Sequence, residues 1–192
     1  MRSLHALVLG LVIAFSGACT HLAYSGGARP VEPVALDHTW IHAAPTPVVR
    51  QGQETDCGLA ALAMVAAAWG RTWQVAELAR VMPPGDKGVK LATLRDYARG
   101  QGLDAYALAA NPEDLQRELA AGRPVLLGLM LPFDMQHNRS HYEVAIAFRP
   151  SDGTVITIDP ASGKWMTRSS KVLEVEWKAA SYAALVVTAD RR

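Results

Sequence analysis

Gln51 and Cys57 sit six positions apart in Arg50-Gln51-Gly52-Gln53-Glu54-Thr55-Asp56-Cys57-Gly58-Leu59-Ala60-Ala61-Leu62-Ala63-Met64, where a polar loop runs into an apolar helix. A cysteine in the first turn of a helix lies at the positive end of the macrodipole, among amides that have no intrahelical acceptor. Both favour the thiolate over the thiol. A thiolate attacks a carbonyl carbon, and a glutamine amide close by donates to the oxygen that becomes negative. Gln53 is the competing donor. Such a nucleophile also needs a base and a group to orient that base, and His141 and Asp159, far along the chain, are the candidates.

The elements that must position these residues are legible from periodicity. Leu59 to Trp69 is apolar almost all round, as in a helix buried on every side, with Thr55 or Asp56 as N-cap and Gly70 to end it. A second helix is expected from Trp73 to Met82, capped by Thr72, and a third from Leu91 to Arg99, stopped by Gly100 and Gly102. Asn111-Pro112-Glu113-Asp114 supplies the cap, first-turn proline and acidic first turn of a fourth, which Gly122 ends. The period then changes to two. Strands are expected at Val125 to Leu131, His141 to Phe148, Val155 to Asp159 and Tyr182 to Thr188, giving an α+β domain with helices first and strands second.

Arg149-Pro150-Ser151-Asp152-Gly153 is a turn between the middle two strands. If Phe148 pairs with Thr154, Asp159 falls opposite Glu143, and His141 becomes its diagonal neighbour at roughly 7–8 Å. Tyr142, Val144, Ile146 and Phe148 then form the core face. His141, Glu143, Ala145 and Ala147 line the other, where the small alanines leave room for the cysteine helix. On this reading His141 takes the Cys57 proton, Asp159 holds the imidazole tautomer and Gln51 donates to the oxyanion. His137, in the loop Pro132 to Arg139, is the rival base, but a strand holds a base more accurately than a loop does. Leu108 to Ala110 and the loop around Phe133 are candidate walls of a substrate groove.

With 192 residues, half of them apolar, the chain has room for one domain with a real core once a targeting segment is subtracted. Its formal charge of +1, without clustered lysine and arginine, argues against nucleic acid as a partner. Residues 1–18 read as a secretory signal: Arg2 precedes an apolar run, Ala6 to Phe15, too short for a resident membrane helix. Phe15-Ser16-Gly17-Ala18-Cys19 resembles a bacterial lipobox, whose cysteine is acylated, although Ser16 stands where that pattern prefers an aliphatic residue. Thr20 resembles an outer-membrane sorting residue. Residues 19–47, rich in Gly, Pro and Ala, are expected to be a lipidated tether, with the domain in 48–192. With Cys19 acylated, Cys57 is left without a disulfide partner. His38 and His42 lack a third ligand, so no metal and no cofactor are expected.

The ordered set Gln51-x5-Cys57-Gly58-Leu59-Ala60-x-Leu62-Ala63-Met64, Lys87-Gly88-Val89-x-Leu91-x-x-Leu94, Gly122-x-Pro124-Val125-Leu126, His141-Tyr142-x-Val144 and Asp159-Pro160-x-x-Gly163 resembles the bacteriocin-processing, double-glycine cysteine peptidases. Only Gln51 has the papain-like spacing to the cysteine. The resemblance implies a papain-like fold, with Cys57 as nucleophile, His141 as base, Asp159 as orienter and Gln51 as oxyanion donor. It further implies cleavage of a peptide or protein after a small pair such as Gly-Gly, linked to secretion machinery or surface assembly. Relatives are usually fused to ABC exporters, whereas this chain carries an export signal. It is expected on the periplasmic face of the outer membrane, held in lipid through Cys19, or else soluble in the periplasm. Two alternatives keep the same residues: a peptide-binding module that does not cut, and a papain-like amidase or acyltransferase.

Overall fold

The computed structural model describes residues 27–132 and 138–189. The signal segment 1–18, Cys19, Phe133 and the rival base His137 lie outside the described residues. In chain order the elements are β1 (Arg29–Val31), β2 (Ile41–His42), α1 (Cys57–Ala67), α2 (Val75–Val81), α3 (Leu91–Gly100), β3 (Asp104–Ala109), α4 (Pro112–Ala120), β4 (Val125–Pro132), β5 (Asn138–Arg149), β6 (Thr154–Asp159), β7 (Lys164–Arg168), α5 (Ser170–Ala179) and β8 (Ala183–Thr188). All the strands join one antiparallel sheet in the order β1-β7-β6-β5-β4-β8-β3, with β2 pairing on β5. This is the expected α+β, papain-like arrangement.

Helices cover both faces of the sheet. On one face Leu59, Leu62 and Met64 of α1 share a core with Leu78 of α2, Leu94 of α3, and Leu126, Val144, Ile156 and Ile158 of the sheet. On the other, Leu115 and Leu119 of α4 and Leu173 and Trp177 of α5 pack on Leu127, Leu129, Ala145 and Val155. Burial on both sides is why β4 reads as an unbroken apolar run. It is also why α1, sandwiched between sheet and helices, has no polar face. Among the described residues no helix is long and apolar enough to cross a membrane.

The β5–β6 hairpin departs from the assumed register and then returns to it. Arg149, not Phe148, pairs with Thr154, but a β-bulge between Ala145 and Ala147 adds one residue to β5, so that Val144 faces Ile158. Ile146 and Ala147 consequently point to the same face, both in the α1 core, while Phe148 joins the other core. Beyond the bulge the frame is the expected one, with Asp159 level with Glu143.

Several expectations need correction. The cysteine helix packs on the Tyr142, Val144 and Ile146 face rather than on the His141, Glu143 and Ala145 face, which belongs to α4 and α5. Residues 27–47 are not a free tether: β1 pairs with β7, β2 extends the ladder of β5 where β4 has ended, and Ala28 and Ala43 are buried. Leu108 and Ala109 lie on β3, at the sheet edge remote from β5, so this stretch lines no groove near Cys57. The second helix starts at Val75 with Gln74 at the N-cap position, where its side chain makes no capping bond, so Thr72 does not cap it. β1, β2, β3, β7 and α5 were not anticipated.

At α4 the expected cap is present, since the Asn111 side chain accepts from the Asp114 N–H at 2.8 Å. Asn111→Ala is expected to lower unfolding stability by about 1 kcal/mol, read from urea denaturation, without changing the reactivity of Cys57.

Candidate active site

Cys57 is the first residue of α1, after the N-cap Asp56, whose carboxylate does not cap the helix but accepts from the Gln53 N–H at 2.8 Å. That bond closes the loop in front of the cysteine. Gly58 follows because α1 presses on the sheet here: a Cβ at this position would stand 3.0 Å from the Tyr142 ring. Beyond the Val144–Ile158 pair β6 ends at Asp159, so the preceding part of β5 has no strand on that flank among the described residues. The sulfur lies near this open flank, where the N–H groups of Tyr142 and Gly58 and the His141 ring favour its thiolate.

His141 and Asp159 approach from the opposite face. The ring Nε2 is 2.8 Å from Asp159 Oδ1, which leaves Nδ1 as the ring nitrogen for the thiol. Asp159 is held by its own turn. Its Oδ1 also accepts from the Ala161 N–H at 2.9 Å, and its Oδ2 from the Ser162 N–H at 3.1 Å. Gly163 closes the turn at φ +67°, a conformation that favours glycine, and its N–H returns to the Asp159 carbonyl. Asp159-Pro160-x-x-Gly163 is thus a local device that aims a carboxylate. The Gln51 N–H donates to the Pro160 carbonyl at 3.0 Å, which ties the loop before the nucleophile to that turn.

The electrostatics follow from these contacts. Burial pushes the Cys57 thiol up, but the His141 hydrogen bond and charge, with the two backbone donors, bring it below its ordinary value. Burial pulls the His141 imidazolium down, yet the bonds to Asp159 and Cys57 and the charge of Glu143 more than offset this and raise it to about 10. Burial raises Asp159 as well, and the His141 contact with the turn amides outweighs it, holding the carboxyl well below the usual range. All three shifts favour a thiolate beside an imidazolium.

Gln51 is near but differently engaged. Its Nε2 donates to the carbonyls of Gln53 at 3.0 Å and Glu54 at 3.2 Å, while its Oε1 is buried without a partner. The opposite amide orientation would set oxygen against two carbonyl oxygens. Gln53, the competing donor, is exposed, and its backbone carbonyl is one of the groups that hold Gln51. A cleft of about 250 Å³ opens beside these groups, lined by Gln51, His141 and Asp159 with Pro30, Leu131 and Met166 as apolar walls. Cys57 is not on its wall and is only 7% exposed.

His141, Glu143 and Asp159 bring one ligand atom each within 4.8 Å of one another. Both Glu143 oxygens, however, accept from the Arg168 guanidinium, whose charge would oppose a metal cation at that position. His38 and His42 are both exposed and join no such cluster among the described residues. Sequence reasoning missed Pro30, the Tyr142 N–H, and the carboxylate of Glu143 with its partner Arg168. Only Glu143 left a trace, as an acidic residue within an apolar alternating strand.

Known proteins share this fold. Solved structures that resemble the chain include a double glycine motif protease from an AMS/PCAT transporter in complex with the leader peptide. It is 20% identical, with a TM-score of 0.60 over 77% of this chain and 94% of that one. The peptidase domain of Streptococcus ComA, a bifunctional ABC transporter involved in quorum sensing, is also 20% identical, with a TM-score of 0.60 over 75% and 98%. A C39-like peptidase from Bacillus anthracis is 18% identical, with a TM-score of 0.65 over 80% and 99%. No curated protein sequence matches. The Peptidase C39 family model matches residues 45–190, a span that takes in the helix of Cys57, the strand of His141 and the turn of Asp159. This chain therefore belongs to the Peptidase C39 family and is a cysteine peptidase.

Proposed function

We propose that this cysteine peptidase is an endopeptidase held in the outer membrane by an acylated Cys19, and that it processes exported peptides or proteins after a Gly-Gly-type site. The observation that carries the catalytic part is the buried His141–Asp159 hydrogen bond of 2.8 Å beside a thiol in the first turn of α1. The Cys57 thiolate attacks the scissile carbonyl, and the charge that develops on oxygen meets the free first-turn amides of α1. Gln51 joins them by turning an amide hydrogen from the Gln53 and Glu54 carbonyls to the stronger anionic acceptor. The His141 imidazolium protonates the leaving amine, and Asp159 keeps the ring aligned. Water, deprotonated by the now neutral ring, hydrolyses the thioester, the sulfur leaves as thiolate, and the thiolate–imidazolium pair is restored.

The substrate class is supported by the relative solved with a leader peptide. Anchoring is supported by the signal-like first eighteen residues and by Cys19. Because residues from Gly27 onward are docked on the domain, only residues 19–26 are left as tether. Those reach at most about 28 Å, which holds the cleft close to the membrane surface and to the secretion machinery there.

Purified protein is expected to cleave a peptide carrying a Gly-Gly leader site; Cys57→Ala should abolish the cleavage, and Asp159→Ala should lower kcat more than Asp159→Asn, which keeps an acceptor for the ring as Cys-His-Asn sites do. Absence of any Cys57-dependent cleavage, together with no labelling by a peptide-shaped thiol probe, would overturn the reading. In a Cys19→Ser background, alkylation of Cys57 by iodoacetamide is expected to reach half its maximal rate at a lower pH than an ordinary thiol does, and His141→Ala should move that midpoint up, since burial, which opposes the thiolate, is then left without the imidazolium. Peptide cleavage should fall again as the pH passes about 10, where the imidazolium that protonates the leaving group is lost.

A further inference from the structure

Behind His141 lies a buried cluster of charges that the catalytic set does not use. Glu143, two residues along the same strand, is fully buried, and both its oxygens accept from Arg168, Oε2 from Nη1 at 2.6 Å and Oε1 from Nη2 at 2.7 Å. Thr157 of β6 donates to Glu143 Oε2 at 2.5 Å, and Arg168 of β7 also donates through Nη1 to the Thr157 hydroxyl at 2.8 Å. The third guanidinium nitrogen, Nε, donates to Glu176 of α5 at 2.7 Å, and the Gly27 N–H donates to the other Glu176 oxygen at 2.6 Å. Two carboxylates thus share one guanidinium in the interior. The cluster keeps an excess of one negative charge, which water cannot screen there.

The nearest group that can take up the matching positive charge is the His141 ring, whose Nε2 is 4.0 Å from Glu143 Oε1. Asp159 contributes a second carboxylate on that nitrogen, and the Cys57 sulfur faces the other end of the ring. Lys164 and Arg139 line the same cleft but are exposed, and Arg139 is paired with Glu54. Neither neutralises the interior.

We propose that Glu143 is a positioning residue for the reaction: locked in place by Arg168 and Thr157, it supplies the buried negative charge that keeps His141 as imidazolium and so keeps Cys57 as thiolate in the resting enzyme. Arg168 has a double part, fixing Glu143 and, because Glu176 also claims it, leaving part of the Glu143 charge uncancelled toward His141. The raised imidazolium described above is consistent with this, with Glu143 among its causes. The inference rests on the Cys57–His141 reading, but it concerns the protonation of the pair and not the substrate.

The test is the pH titration of the His141 ring, followed by NMR on the full chain with Cys19→Ser, together with its thermal unfolding midpoint. Glu143→Gln keeps the size of the side chain and removes the charge; the pH at which the imidazolium is lost should fall by about one unit, a roughly tenfold weaker hold on the proton. Glu143→Asp, which keeps the charge, should restore part of the shift. Glu176→Gln leaves Glu143 and Arg168 as a neutral pair and should shift the titration in the same direction by less. A Glu143→Gln titration that overlays the parent while the unfolding midpoint falls would mean a purely structural role and overturn the proposal. Should Glu143→Gln fail to fold, an unshifted Glu176→Gln titration overturns it equally. Because the titration needs no peptide, loss of the proposed substrate class would leave this result standing, and the reverse also holds.

Discussion

The site depends on the point where β6 stops. A sheet that continued past Asp159 would satisfy the β5 backbone with another strand and close the flank on which the sulfur rests. Because the strand turns instead at Pro160, the N-terminus of α1 comes from one face and His141 from the other, and they meet at the open flank. The Tyr142 N–H on this stretch of β5 is one of the groups that favour the Cys57 thiolate. An unpaired backbone donor in the interior is costly, and a thiolate is a suitable acceptor for it. The turn that ends the strand is also the one that aims the Asp159 carboxylate, so termination of the sheet and orientation of the imidazole have a single cause.

Around that junction the protein holds more buried charge than stability alone favours. An ion pair taken out of water regains its desolvation cost only with good geometry and full hydrogen bonding, and an apolar replacement is often as stable. Arg168 here has each of its nitrogens bonded within the Glu143, Thr157 and Glu176 cluster. A fully connected cluster of this kind is rigid, and rigidity is what a base needs if it is to stay in line with a nucleophile. The segment before residue 45, where the family match begins, adds to the same region: β1 extends the sheet beside β7, Pro30 forms a cleft wall and Gly27 donates to Glu176.

Much of this was readable along the chain, and the failures have physical reasons. α1, α3 and α4 were found because a fully apolar helix, a glycine stop and an asparagine cap are local signals. β3 was missed because Asp104–Ala109 is rich in alanine and leucine and becomes a strand only by pairing with β8. β1 and β2 are short, lie in Pro-rich sequence and exist only because sheet edges were available to them. α5 had a readable signal in Ser169 at its cap and in Leu173 and Trp177, which face the core. In the hairpin, the assumed pairing was wrong by one residue at the turn and right at the site, since the bulge between Ala145 and Ala147 restored the frame.

Local chemistry determined which residues are equipped to react. A cysteine in a helix first turn, a glutamine six residues earlier, a histidine on a strand and an aspartate in a Pro-Gly turn carry their properties wherever the chain places them. Tertiary structure alone decided that α1 lies on the face opposite His141, that Gln51 spends its amide on two loop carbonyls, and that Glu143 stands behind the imidazole with Arg168. The first and the last rest on contacts between residues distant in sequence, and the Gln51 loop, though local, is tied to the Asp159 turn through the Pro160 carbonyl. Their energies depend on burial and relative orientation, and neither quantity exists until the sheet has formed.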